Sequence, residues 1–230
     1  RLPFWNKISF LNKVMLRNIF RYRQRLLMML IGIGGCTALL LTGFGIRDSI
    51  VDIVAFQFED VTLYDMEVRF GDPLKDNDQK AFRTYMERYC DQMIFAHQST
   101  AEMDFEGQTK DVIMISADGE LAQFMDFHRS KQDVKMPGDG EVLLSVGIAE
   151  KFGIRVGDKV TLRDPDMRLM ELTVSGIYEN YVYNYAIVSP VTVASAWGEL
   201  PELQIAYLNV RDGQDVHVAG TKVANYDGVM

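Results

Sequence analysis

Three tyrosines are the side chains in this sequence best suited to contact another molecule. Tyr181, Tyr183 and Tyr185 occupy alternate positions, so in an extended segment they lie on one face. An exposed aromatic strip of this kind can bind a hydrophobic or peptide ligand. Such a strip packs more commonly against a neighbouring helix. The pattern marks a candidate contact strip and leaves both interpretations open.

The residues that catalysis or metal binding requires are scattered. His97, His128 and His217 show no metal-ligand spacing. The segment Asp76-Asn77-Asp78 lacks the glycine and distal glutamate of a calcium loop. Cys90 falls at the C-terminal end of a predicted helix, where a thiol is not activated. The sequence also lacks a nucleophile elbow and a phosphate-binding loop. We predict that the chain is not an enzyme and holds no metal or cofactor.

One apolar stretch dominates the chain. Leu26–Ile46 carries no charge over 21 residues, and its polar side chains are Thr37 and Thr42 alone. As a helix it would extend about 31 Å, the thickness of a bilayer's hydrocarbon core. A buried helix of a soluble core would show a polar face, and a cleavable signal peptide would have a shorter apolar region. We therefore predict a transmembrane helix.

The charges on either side of this stretch predict its orientation. Residues 1–25 hold seven Lys or Arg and no acidic residue, whereas the residues after the span hold 17 basic and 32 acidic ones, a net of −15. The positive-inside rule places the N-terminus in the cytoplasm and residues 47–230 outside the plasma membrane. The basic cluster flanks a membrane span, so no nucleic-acid partner is expected.

The basic flank itself has helical periodicity. Leu11, Met15 and Ile19 fall on one face of residues 6–25, which predicts an interfacial helix, with Phe4 and Trp5 at headgroup depth. A simple topogenic flank is the alternative. The cations expected to meet lipid headgroups or a cytoplasmic partner are Lys13, Arg17, Arg21, Arg23 and Arg25.

Within the span, Gly34, Ala38 and Thr42 recur every four residues. A stripe of small residues lets helix backbones approach, so we expect this face to pack against other membrane helices. A lone anchor with incidental glycines is the alternative. Since no proline or other break lies between Asn6 and Glu59, one continuous helix is expected from the flank to a stalk.

The rest of the chain alternates strand and helix patterns, which predicts an α+β domain in two parts. The expected divisions are an interfacial helix at 1–25, the transmembrane helix at 26–46, a stalk at 47–63, an α+β subdomain at 64–136 and 178–230, and a β-rich insert at 137–177.

Four segments resemble the FtsX-like or MacB-like permease subunits of ABC transporters. They are Arg17–Tyr22 (RNIFRY), Gly34–Ile50, Gly140–Leu162, and Glu179–Val182 followed by Ser189-Pro190. Their order matches the family's interfacial helix, span and extracytoplasmic domain. The resemblance implies a porter-like α+β part with a β-rich insert, which corresponds to the two parts above.

The resemblance also implies a function. Such permeases have at least four membrane helices, pair with a second permease unit, and bind a separate cytoplasmic ATPase. ATP hydrolysis then moves the outer domain to export peptides, lipids or drugs, or to activate a cell-wall hydrolase. This sequence has one span, so the remaining helices are expected outside it. The alternative functions are a single-span membrane sensor or ligand-binding protein, and an anchored cell-wall enzyme.

Overall fold

A computed structural model describes residues 9–117 and 119–230. The chain divides into two compact units, one that ends at Ile53 and one that comprises Val54–Met230. The helices are α1 (Phe10–Arg21), α2 (Arg23–Phe56), α3 (Asp76–Met86), α4 (Val146–Phe152), α5 (Pro190–Trp197) and α6 (Val216–Ala224). The strands are β1 (Met66–Arg69), β2 (Cys90–Phe105), β3 (Gln108–Ser116), β4 (His128–Arg129), β5 (Gln132–Asp133), β6 (Glu141–Ser145), β7 (Lys159–Arg163), β8 (Leu169–Tyr178), β9 (Tyr185–Val188) and β10 (Ile205–Val210).

The first unit contains a break that the sequence pattern did not predict. α1 ends at Arg21, the next residue Tyr22 leaves helical geometry (φ −110°, ψ 40°), and α2 begins at Arg23. Arg17, Arg21 and Arg25 follow one another four residues apart, and like charges at this spacing destabilise a continuous helix. The expected unbroken helix from Asn6 to Glu59 is therefore wrong at Tyr22, while residues 6–8 lie outside the described part of the chain.

α2 is the apolar helix. Within the described residues, Arg23–Val61 is the one helical segment long and apolar enough to cross a membrane by length and composition. None of the residues of α2 is buried within the chain. The helix continues past Ile46 to Phe56, and a π-helical turn follows at Gln57–Val61.

The second unit is built on one eight-stranded sheet in the order β1-β10-β2-β3-β9-β6-β8-β7. The long strand β2 takes part in two regions of this sheet. Its first half pairs with β10, and its second half pairs with β3 on one edge and with β7 on the other. Six strands from β2 to β7 therefore close into a ring, which leaves no open edge around it.

The inside of this ring is an apolar core. Alternate residues of its strands are buried there, as the two-residue period of a strand requires. They include Met103, Met114, Leu144, Leu162 and Leu172, each 2% exposed or less. Ile148 of α4 and Val193 of α5 join the same core.

Two further cores cover the remaining faces of the sheet. Phe82 and Met86 of α3 and Val223 of α6 pack against β1, β10 and the start of β2. On the opposite face, Leu121 and Phe124 cover Tyr178 and Tyr207. Helices and strands are mixed in this unit, so the predicted α+β domain after a long apolar helix is confirmed.

The strands of the predicted insert share hydrogen bonds with strands outside it. β6 pairs with β9, and β7 pairs with β2. The segments 137–177 and 101–114 also contribute to the same apolar core. The boundaries of the two predicted subdomains stay a prediction.

Gly176 gives a test of how tightly this sheet is packed. A Cβ at this position would meet the Val134 side chain and lie 2.9 Å from Leu143 Cδ1. We expect Gly176→Ala to lower the free energy of unfolding by about 1–3 kcal/mol, since an added methyl group forces neighbours to shift. Denaturant unfolding would measure the change.

The matched control is Gly220→Ala in α6. Its Cβ would meet only Met66 Sδ, at an ordinary 3.9 Å. We expect this variant to be more stable than the parent by about 0.5–1 kcal/mol, the helix preference of Ala over Gly. Equal effects of the two substitutions would contradict the packing described.

Candidate functional site

The candidate site is the joint formed by the end of α2 and the loop after β8. Beyond Phe56 the helix widens, and Thr62 N–H donates to the carbonyl of Gln57 at 2.9 Å, five residues back. Such π turns occur often at functional positions. The turn directs Gln57 and Val61 into the domain, where both are buried.

Gln57 is held by a closed set of amide hydrogen bonds. Its Nε2 donates to Asn180 Oδ1 at 2.8 Å. Its Oε1 accepts from the backbone N–H groups of Tyr181 and Val182, at 3.2 and 3.3 Å. Gln57 and Asn180 are 6% and 2% exposed. Breaking this pair would leave amide groups unsatisfied away from water, which costs about 1–3 kcal/mol for each group.

Asn180 also determines the path of the chain after β8. Its Nδ2 donates to the carbonyls of Val182 and Tyr183, at 2.7 and 3.2 Å. This local bonding folds the segment into a bend, and Tyr183 adopts φ +66°. The loop is thus shaped by the side chain that holds the helix end.

Aromatic contacts reinforce the joint. The Phe56 ring meets the edge of Tyr181 at 5.2 Å between centroids and lies 6.2 Å from the His128 ring. His128 in turn lies between two carboxylates, with Asp126 Oδ2 at 3.0 Å and Glu179 Oε2 at 3.7 Å. No group of three or more metal-ligating side chains suited to an ion occurs in residues 9–117 and 119–230.

Two backbone hydrogen bonds hold the segment that follows the π turn. Asp126 N–H donates to the Val61 carbonyl at 2.9 Å, and Leu63 N–H donates to the Phe124 carbonyl at 3.0 Å. The end of the helix is therefore held on two sides, by the 180–183 bend and by the segment 124–126.

A cleft of about 590 Å³ opens beside the joint. We call it the tyrosine cleft, after Tyr64, Tyr178, Tyr183 and Tyr185 in its wall. Burial, together with the nearby Glu67 carboxylate, raises the pKa of Tyr185 to about 12 and that of Tyr64 well above its usual value. Burial also raises the pKa of Tyr178. These phenols are neutral hydrogen-bonding groups over the whole physiological pH range.

The structure separates the three tyrosines of the predicted strip. Tyr181 packs on Phe56, whereas Tyr183 and Tyr185 line the cleft with ring centroids 6.4 Å apart. Their expected alternation on an extended segment is wrong, because β9 begins only at Tyr185 and the bend at Asn180 precedes it. Their role as a contact surface stays a prediction.

The other predicted site residues belong to the first unit. Lys13, Arg17 and Arg21 lie on α1, and Arg23 and Arg25 lie in the first turn of α2. Their role at a cytoplasmic interface stays a prediction, and Phe4 and Trp5 lie outside the described residues.

Gly34, Ala38 and Thr42 follow one another along α2, where the Thr42 hydroxyl donates to the Ala38 carbonyl at 2.8 Å. A Cβ at Gly34 would meet nothing within 4 Å. Their packing against other membrane helices stays a prediction.

Substitution of Asn180 tests the joint directly. We expect Asn180→Ala to lower the free energy of unfolding by about 1–3 kcal/mol, because Gln57 Nε2 and two carbonyls lose their partner. The matched control is Asn184→Ala, which removes the same side chain four residues along at a half-buried position. The control should stay within about 0.5 kcal/mol of the parent in denaturant unfolding. Equal losses would show that the Asn180 network does not hold the joint.

The raised pKa of Tyr185 predicts a dependence of stability on alkaline pH. The unfolded tyrosine ionises near pH 10, whereas the folded one ionises near pH 12. The unfolded state therefore releases its proton first, and stability falls as pH rises from 10 to 12. Tyr185→Phe should flatten this fall, as measured by denaturant unfolding at each pH. An unchanged profile in the variant would contradict the burial of this phenol.

Comparison with known proteins places the chain in a family. Residues 26–226 match the family described as MacB-like periplasmic core domain. No curated protein matches the chain.

Solved structures similar to this chain include a periplasmic region and an extracellular domain. The periplasmic region of MacB from Actinobacillus actinomycetemcomitans aligns with a TM-score of 0.47 and 9% identity, covering 71% of this chain and 82% of the other. The extracellular domain of the noncanonic ABC-type transporter YknZ from Gram-positive bacteria aligns with a TM-score of 0.47 and 11% identity, covering 69% and 91%. From the match over residues 26–226, the chain belongs to the MacB-like periplasmic core domain family, as the sequence resemblance predicted.

Proposed function

We propose that this chain is one membrane helix and the outer domain of a permease unit that transmits movement across the membrane. A separate cytoplasmic ATP-binding subunit drives the movement, α2 carries it, and the outer domain uses it to export a substrate. Peptides, lipids and drugs are the substrate classes that the family resemblance supports. A second permease unit or further permease helices complete the transporter.

The observation that carries this proposal is the joint at Gln57. A helix that merely tethers a domain needs no fixed contact at its end, and a flexible linker would serve. Here the last turn is held by the buried Gln57–Asn180 pair, by the Phe56–Tyr181 contact and by hydrogen bonds to residues 124–126. Tightly packed elements transmit rigid-body shifts, because they rearrange between discrete packings and do not deform continuously.

The location of each part follows from the charge distribution. The seven cations in residues 1–25 support a cytoplasmic N-terminus, and the acidic remainder supports an extracytoplasmic domain. In this arrangement Lys13, Arg17 and Arg21 meet the ATP-binding subunit or lipid headgroups. Gly34, Ala38 and Thr42 face other membrane helices in the bilayer.

The tyrosine cleft favours a second candidate function. A membrane-anchored ligand-binding or sensor protein also needs one span and an outer cavity of this size. That function does not require an ATP-binding partner, and this difference separates the two candidates.

Photo-cross-linking in the complete permease, co-expressed with its ATP-binding subunit, tests the proposal. A cross-linking amino acid at Arg17, on the charged face of α1, should form an adduct with that subunit. The matched control is Leu11 on the opposite face, which should yield adducts with lipid only. Absence of a protein adduct at Arg17, and likewise at Lys13 and Arg21, would overturn the proposed cytoplasmic contact.

Coupling is tested in the same system with Gln57→Ala. We expect this variant to keep the Arg17 adduct and ATP hydrolysis while export falls about tenfold, within the usual range of coupling free energies. Asn184→Ala should export like the parent. Full export by Gln57→Ala would contradict transmission through the joint.

A further inference from the structure

We infer that the tyrosine cleft binds a neutral oligosaccharide. This inference goes beyond the proposed transmission of movement, since it concerns recognition by the outer domain itself. It rests on five features of the cleft: its size, its aromatic wall, the chemistry of its polar groups, its lack of net charge and the bonded backbone N–H groups of its wall.

The size and the aromatic wall suit a sugar. A volume of about 590 Å³ lies within the roughly 300–1,000 Å³ usual for ligand sites. Tyr183 is 68% exposed and touches the Tyr185 ring edge-to-face, so most of its surface remains accessible. A tyrosine ring offers an apolar face together with a polar hydroxyl. A pyranose ring likewise combines C–H faces with a rim of hydroxyls.

The uncharged polar groups of the wall match hydroxyls. Gln98 and Thr100 of β2 and Thr62 after the π turn all line the cleft. Amide and hydroxyl side chains can both donate and accept hydrogen bonds. Sugar hydroxyls have the same dual capacity, whereas a purely apolar ligand would leave these groups unsatisfied.

The charges of the cleft disfavour an ionic ligand. Among the described residues that line it, Glu67 and Arg69 alone are charged, and they bond each other with Arg69 Nε 2.9 Å from Glu67 Oε1. The lining therefore has no net charge, unlike a site built for a nucleotide or another anion.

The backbone of the wall disfavours a peptide bound as an added strand. That binding mode requires unpaired N–H and C=O groups at a strand edge. Here Ile113 N–H donates to the Asn184 carbonyl at 2.7 Å, and Tyr185 N–H donates to Ser145 Oγ at 3.0 Å. The N–H groups of Tyr181 and Val182 are bound to Gln57. These four N–H groups of the wall are therefore not available to a bound peptide, which favours the saccharide.

Saturation-transfer NMR on the chain in lipid nanodiscs tests the inference. Maltoside detergents are avoided because their headgroup is itself a disaccharide. The probes are maltose, cellobiose and N,N′-diacetylchitobiose, with empty nanodiscs as the blank. We expect at least one disaccharide to bind with a dissociation constant of about 1 mM or tighter.

Two substitutions locate the binding. Tyr183→Ala should weaken it about three- to tenfold, the usual contribution of one aromatic contact. Thr100→Val should weaken it about threefold through the lost hydroxyl. Tyr85→Ala, which removes an exposed tyrosine of α3 outside the cleft, should leave binding unchanged.

Three results would overturn the inference. They are no binding of any disaccharide to the parent chain, binding that neither Tyr183→Ala nor Thr100→Val weakens, and binding of a tyrosine-containing tripeptide in the cleft where no disaccharide binds. The assay needs no ATP-binding subunit. A failure of transmission through Gln57 would therefore leave its outcome unaffected.

Discussion

A buried amide pair, Gln57 with Asn180, is the constraint on which the proposed function of the outer unit depends. Each side chain satisfies the other, and together they satisfy two backbone N–H groups and two carbonyls of the 181–183 bend. Because both amide side chains lie away from water, the helix end cannot leave the domain without losing several hydrogen bonds at once. The end of the apolar helix is thus a structural part of the domain that follows it.

The domain beyond the joint is suited to move as one body. The closed ring from β2 to β7 surrounds a continuous apolar core, and β2 extends from this ring into the layer formed by β1 and β10. A strand shared by two regions joins them through backbone hydrogen bonds, which resist bending better than a loop does. In the proposed function, a shift delivered at Gln57 would reach both regions through this shared strand.

Much of this fold follows from sequence periodicity. The apolar run at 26–46 and the alternating pattern of β2 and β3 predict their elements, since burial sets both patterns. The break at Tyr22 is harder to predict, because it involves neither proline nor glycine. Closure of the ring depends on pairing of β2 with β7, which are far apart in sequence, and local patterns carry no information on such pairs.

The candidate site was predicted only in part. The tyrosines at 181, 183 and 185 lie beside Asn180, but their spacing concealed the bend that Asn180 imposes, and their role as a contact surface stays a prediction. Gln57 was missed. The sequence signals it in one way, since an amide side chain stands between Phe56 and Phe58 in an apolar helical pattern. A polar side chain that is buried by such a pattern needs a hydrogen-bond partner. The sequence does not indicate that this partner is 123 residues away.

Hydrogen exchange at Tyr181 and Val182 tests the central claim most directly. Both backbone N–H groups donate to the Gln57 side chain at the end of the apolar helix. In the chain reconstituted in lipid nanodiscs, we predict that these two amides exchange as slowly as those of β9, since opening them requires release of the joint. Exchange as fast as in the exposed hairpin turn at Glu106 and Gly107 would show that the helix end is not held, and would contradict the account.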